Sequence, residues 1–195
     1  MRLTPLILAA AVALLAGCLP VTTRIPAGTT AGFKTDPTLL GSWRAIASDQ
    51  DAPAYIHILG NDDGTMTAIV VTPAYKENRG DWSVYMLRAV TLRENHILNA
   101  RERITNGRPS DGALAQEDVL LAYRAEGPGK ISLYRMDDPA TAAAIRAGEI
   151  AGEIEPGENG DVRITASGPA LDRFMGTPRA AHLFTKLLVT LVRAN

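Results

Sequence analysis

Ala54-Tyr55-Ile56-His57-Ile58-Leu59-Gly60, then Asn61-Asp62-Asp63-Gly64, then Thr65-Met66-Thr67-Ala68-Ile69-Val70-Val71-Thr72: this stretch decides the fold. Tyr55, His57 and Leu59 alternate against Ile56 and Ile58, while beyond the turn Met66, Ala68 and Val70 oppose Ile69 and Val71. A period of two is the mark of a pleated strand, because successive side chains point to opposite faces. The four polar residues between the runs supply the turn, with Gly64 suited to its left-handed position. The stretch therefore reads as an antiparallel hairpin.

Working outward, residues 39–47, 82–92, 96–104, 118–125 and 130–136 are predicted as further strands, separated by clusters of Gly, Asn, Asp and Pro. Strands that follow one another without intervening helices argue for an antiparallel meander rather than βαβ units. The character changes at Asp138-Pro139, where Asp can cap a helix and Pro can open one. A helix is expected over 139–147, ended by Gly148, then a strand pair over 150–155 and 161–166 and a short helix over 171–175. Thr177-Pro178 opens a last helix, in which Leu183, Phe184, Leu187, Leu188, Leu191 and Val192 fall at three- and four-residue steps and form one apolar stripe for packing on the sheet. The expected fold is α+β: an antiparallel, strongly curved sheet of about seven to nine strands, or a partly closed barrel, with C-terminal helices over one end or face.

Gly41-Ser42-Trp43, at the start of the first long strand, resembles the Gly-x-Trp signature of lipocalins. The resemblance implies an eight-stranded up-and-down barrel closed at one end by the Trp. It also implies a small apolar ligand held in the mouth of the barrel. The residues by themselves leave a plainer alternative, in which Trp43 fills core beside a glycine that permits close backbone approach.

The first residues carry an address. Arg2 gives a positive start, residues 6–14 a short uncharged run of Leu, Ile, Ala and Val, and Ala16-Gly17 the small residues that a signal peptidase accepts. A transmembrane helix needs about 20 apolar residues, and Pro5 on one side with Pro20 and Arg24 on the other make the run too short. Leu15-Ala16-Gly17-Cys18 resembles the lipobox of bacterial lipoproteins. The resemblance implies that residues 1–17 are a signal peptide removed before Cys18, and that Cys18 carries acyl chains such as palmitate that anchor the protein stably in a membrane. Leu19, standing where an inner-membrane retention signal would have Asp, implies the outer membrane, facing the periplasm. The alternative is an ordinary signal peptide that releases a soluble periplasmic protein. Cys18 is the only cysteine, so the chain has no internal disulfide.

Residues 18–36 are rich in Pro, Thr, Gly and Ala without an apolar period and are expected to form a flexible tether, with residues 37–195 as one globular domain. A coil of that length would hold the domain about 20–25 Å from the lipid; packing of Val21 or Phe33 on the domain would shorten the reach.

Losing Arg2 leaves 19 basic against 21 acidic side chains, a balance of −2 with no basic cluster, which argues against nucleic-acid binding. His57, His96 and His182 stand far apart and form no metal-ligand pair. Asn61-Asp62-Asp63-Gly64 lacks the spacing of a calcium loop, and Glu153, Glu155, Glu158 and Asp161 gather acidity around a turn. A nucleophile elbow, a phosphate loop and a dinucleotide fingerprint are all absent from the sequence. No cofactor and no catalytic residue is therefore expected. Two roles remain: a membrane-anchored envelope lipoprotein that binds a small apolar ligand, or an accessory protein that docks on an envelope protein partner.

Overall fold

The computed structural model describes residues 20–46, 54–73, 80–156 and 160–194. Among these, the chain runs β1 (Thr22–Thr23), β2 (Gly41–Ile46), β3 (Ala54–Gly60), β4 (Met66–Thr72), β5 (Asp81–Leu92), β6 (Asn95–Thr105), β7 (Arg108–Pro109), α1 (Ala113–Gln116), β8 (Asp118–Ala125) and β9 (Lys130–Arg135). It continues through α2 (Asp138–Arg146), β10 (Gly152–Ile154), β11 (Val162–Ile164), α3 (Gly168–Met175), α4 (Pro178–Ala181) and β12 (Lys186–Arg193).

Eight strands close into an antiparallel barrel. β2, β3, β4, β5 and β6 pair in succession, β6 pairs β8, β8 pairs β9, and β12 joins β9 back to β2. The hairpin predicted over residues 54–72 is β3–β4, with Gly64 at φ +80 in its turn. Ile58, Met66 and Ala68 face the buried interior, whereas Tyr55, His57, Leu59 and Val71 are exposed. Period-two alternation therefore places one face of each strand inward.

The sheet is not partly closed, as expected, but closed, and the helices are minor. The reason lies in β12. Leu187, Leu188, Leu191 and Val192 of the stripe read as a terminal helix lie on a strand, hydrogen-bonded to Trp43–Ile46 on one side and Lys130–Arg135 on the other, while Leu183 and Phe184 precede it. A short continuous apolar run satisfies either period. Filling the gap between β9 and β2 gives its backbone partners on both sides and leaves no open edge, which a helix lying on the sheet cannot do. Thr177 does cap the preceding helix, accepting from the Ala180 N–H, but α4 spans only Pro178–Ala181. Likewise Asp137 rather than Asp138 caps α2, with Pro139 in its first turn.

A second hydrophobic cluster lies outside the barrel. The segment between β9 and β12 folds back over β6 and β8, so that Leu171, Phe174, Met175, Leu183 and Phe184 cover Val90, Ile97, Leu120 and Ala122. Of residues 18–36, expected as a flexible tether, 20–33 belong to this layer and 34–36 lie at one end of the barrel, where Asp36 accepts from Tyr123. β1 is inserted between β11 and β8, and Val21, Thr22, Thr23 and Ala27 are buried. The physical cause is distant in sequence: Thr22 donates to Glu117 at 2.6 Å, Thr30 N–H donates to Asp172 at 2.8 Å, and Ala27 is held by Asn99. Polar partners replace the apolar period that the segment lacks.

Candidate functional site

The barrel has two unlike ends. At one, Trp43 is buried on the first strand, and its indole N–H donates to the Leu39 carbonyl at 2.8 Å. The Arg193 guanidinium, from the end of the last strand, lies 4.0 Å from the centre of the Trp43 ring. It also donates to the Leu40 carbonyl. Gly41 has φ +107, and a side chain there would collide with Arg193. Both features of Gly41-Ser42-Trp43 thus have a physical reason: the glycine lets arginine cross the end, and the tryptophan plugs it. Tyr123 donates to Asp36 at 2.7 Å near the same end. Burial pushes the Tyr123 phenol up, and the Asp36 carboxylate adds to the rise. Burial works against ionisation of Asp36 too, yet hydrogen bonds from Tyr123 and Thr38 hold it below the usual carboxylate range.

Toward the other end the interior is incompletely filled. A cavity of about 170 Å³ remains, and four of its lining residues are alanines, Ala45, Ala54, Ala68 and Ala100. Leucines and valines such as Leu87, Leu121, Leu133 and Val189 form the rest of its wall, and Leu114 of α1 reaches over it. Small side chains at inward positions of a barrel leave space that larger ones would fill. Tyr85 and Glu102 bring the polar atoms to this wall, and the Tyr85 hydroxyl donates to Glu102 Oε1 at 3.1 Å. Burial, then the Glu102 charge, pushes the Tyr85 phenol up.

The chain matches no family model, no curated protein and no solved structure.

Around the same end, the outer surface of the described residues carries an apolar collar. Ile46 ends β2, Tyr55 is second in β3, Val71 is next to last in β4, Trp82 is second in β5 and Leu187 is second in β12. All five are exposed, and the register aligns Tyr55 with Val71 and Val71 with Trp82. The collar occupies the wall that the outer layer leaves bare.

Cys18 lies outside the described residues, as do residues 1–17. The three histidines stay apart. His57 is exposed and hydrogen-bonded to Ser42 at 2.8 Å, His96 bonds Thr91 at 3.0 Å, and His182 closes α4. Among the described residues no three His, Cys, Asp or Glu side chains converge. Glu153 pairs with Arg163 at 3.4 Å, and Glu158 lies outside the described residues. Sequence reasoning missed Tyr85 and Glu102, although the signal was present: Leu98, Ala100 and Glu102 share one phase of β6, and Tyr85, Leu87 and Ala89 share one phase of β5.

Proposed function

We propose that this chain is a lipid-anchored envelope protein of lipocalin-like architecture whose barrel holds a small apolar molecule, acting by binding rather than by catalysis. The observation that carries the reading is the apolar cavity inside a barrel plugged at one end by Trp43. A cavity of about 150 Å³ lined by aliphatic and aromatic side chains stays dry and takes up a benzene-sized molecule. The present one, at about 170 Å³, suits a group of similar size.

Anchoring through Cys18 is supported by Leu15-Ala16-Gly17-Cys18, and an outer-membrane location facing the periplasm by Leu19 where a retention signal would have Asp. With Pro20 and Val21 buried, only residues 18 and 19 would separate the anchor from the docked segment, at most about 7 Å of chain. The domain then rides close against the lipid instead of on a leash.

The test uses the full chain in phosphatidylcholine nanodiscs, with empty nanodiscs as blank. n-Hexanol is expected to bind, and Ala100→Trp, which fills the chamber, to abolish the binding. Heats equal to the blank, or unchanged by Ala100→Trp, overturn the reading. Mass spectrometry of the native protein reports the anchor separately: the mature chain should begin at an acylated Cys18, and a bare chain beginning elsewhere overturns that part.

The collar of Ile46, Tyr55, Val71, Trp82 and Leu187 favours a second reading, an accessory protein that docks on an envelope partner, since contiguous exposed apolar surface marks interaction sites. A photocrosslinking side chain at position 82 in cells would then give a discrete protein adduct. Adducts with lipid alone, or none, overturn it.

A further inference from the structure

Glu102 is an odd residue to find on the inner face of a barrel. The alternation of β6 sends Leu98, Ala100 and Glu102 to the same side, and the first two line the cavity with it. Across the strand pair, Tyr85 opposes Glu102 directly and donates to one of its oxygens. Val70, Leu114 and Val119 line the same cavity with hydrocarbon. Among the described residues no lysine or arginine pairs with this carboxylate. Arg88 and Arg101 are engaged with Asp118 on the outside of the barrel, and Arg135 is engaged with Asp138. A carboxylate bordering low-dielectric space attracts a cation far more strongly than one in water, and repels an anion as strongly.

We infer that Glu102, positioned by Tyr85, makes the chamber selective for amphiphiles with a short apolar tail and one ammonium group, and turns away those with a carboxylate. The inference rests on the apolar-binding reading above and deepens it. The aliphatic chamber takes the tail, at about six carbons for a volume near that of a benzene site. The free lone pairs of Glu102 accept from the ammonium in a charge-assisted hydrogen bond, the stronger class of such bonds. Tyr85 keeps its proton because its pKa is raised, so it remains a donor that fixes the carboxylate.

Three ligands of equal tail length separate the contributions: n-hexylamine, n-hexanol and n-hexanoate, titrated into the full chain in phosphatidylcholine nanodiscs against empty nanodiscs. The amine is expected to bind at least about tenfold more tightly than the carboxylate, with the alcohol between them. Glu102→Gln should bring all three within about threefold while leaving hexanol nearly unchanged, as removal of a charge but not of volume requires. Tyr85→Phe keeps the carboxylate but removes the donor that fixes it, so the preference for amine should shrink without vanishing, and retained hexanol binding reports that each variant is folded. Equal affinity of the wild-type chain for amine and carboxylate, or a preference that survives Glu102→Gln or disappears in Tyr85→Phe, overturns the inference while hexanol binding leaves the apolar chamber intact. Absence of binding by all three overturns the chamber reading itself.

Discussion

The side-chain amide of Asn99 holds both backbone polar groups of Ala27: its Oδ1 accepts from the Ala27 N–H at 2.8 Å, and its Nδ2 donates to the Ala27 carbonyl at 2.9 Å. Asn99 lies on the outer side of β6, fully buried, and bonds the Arg88 carbonyl at 3.0 Å as well. One polar residue on a barrel strand thus docks an N-terminal segment 72 positions away. A buried polar group left without its partner costs about 1–3 kcal/mol. Asn99→Leu orphans the N–H and the carbonyl of Ala27 together and should lower the unfolding free energy by about 2–4 kcal/mol in urea denaturation. No change would mean that the segment is loose after all.

The strand identity of β12 has its own discriminating pair. Val189 faces the barrel interior and is buried, whereas Leu187 is 53% exposed on the outside. Leu187→Asp is expected to alter stability by no more than about 0.5 kcal/mol, and Val189→Asp to cost over about 4 kcal/mol by burying an unpaired charge. On a helix with the stripe Leu183, Phe184, Leu187, Leu188, Leu191 and Val192 turned inward, the order would be reversed. Thermal melts of the two variants distinguish the cases.

Trp43 is both a plug and a large piece of core. Trp43→Ala should cost about 3–5 kcal/mol, as expected for loss of a buried aromatic side chain. Because the Arg193 guanidinium rests on the ring, Arg193→Met in the wild-type background should cost less, about 0.5–2 kcal/mol, and less again once Trp43 is gone and only its bond to the Leu40 carbonyl remains. Chemical denaturation of the two single variants and the double variant measures that coupling.

Acid should unfold the protein through a few named carboxylates. Burial pushes Glu117 up, but hydrogen bonds from Thr22 and Arg163, the Arg163 charge and Arg24 together hold it below its ordinary range. The Ala140 N–H, followed by Lys186, does the same for the partly exposed Asp137. Each folded-state pKa lies below the unfolded value, so the stabilisation is complete above about pH 4.3 for Glu and about 3.9 for Asp. It is lost as pH falls through the lower folded values. The urea midpoint should therefore hold steady from neutrality and fall below about pH 4. Glu117→Gln should flatten that acid limb, and an unaltered limb would remove Glu117 from the account.

The barrel strands were legible because the alternation of each one is local. Ile56, Ile58, Met66, Ala68 and Val70 announce their side of the sheet from spacing alone, and Asn61-Asp62-Asp63-Gly64 announces the turn. The partnership of Tyr85 with Glu102 was half legible. Each residue shows its phase, but their meeting depends on the register of β5 against β6, which shifts by a bulge between Val84 and Tyr85. The cavity was not legible, since four alanines on four strands make a void only when the strands close around them.

By itself, the sequence determined the run of strands, the hairpin that organises them, the glycine and tryptophan at the start of β2, and the apolar run that precedes Cys18. Only the tertiary structure decided that residues 186–193 are the closing strand and that residues 20–36 are docked. In both cases the deciding partners are hydrogen-bonding groups more than 45 residues distant, those of β2, β9, Asn99, Glu117 and Asp172. Periodicity within a segment reports which side is apolar, but it carries no record of which distant backbone will satisfy the segment's own N–H and carbonyl groups.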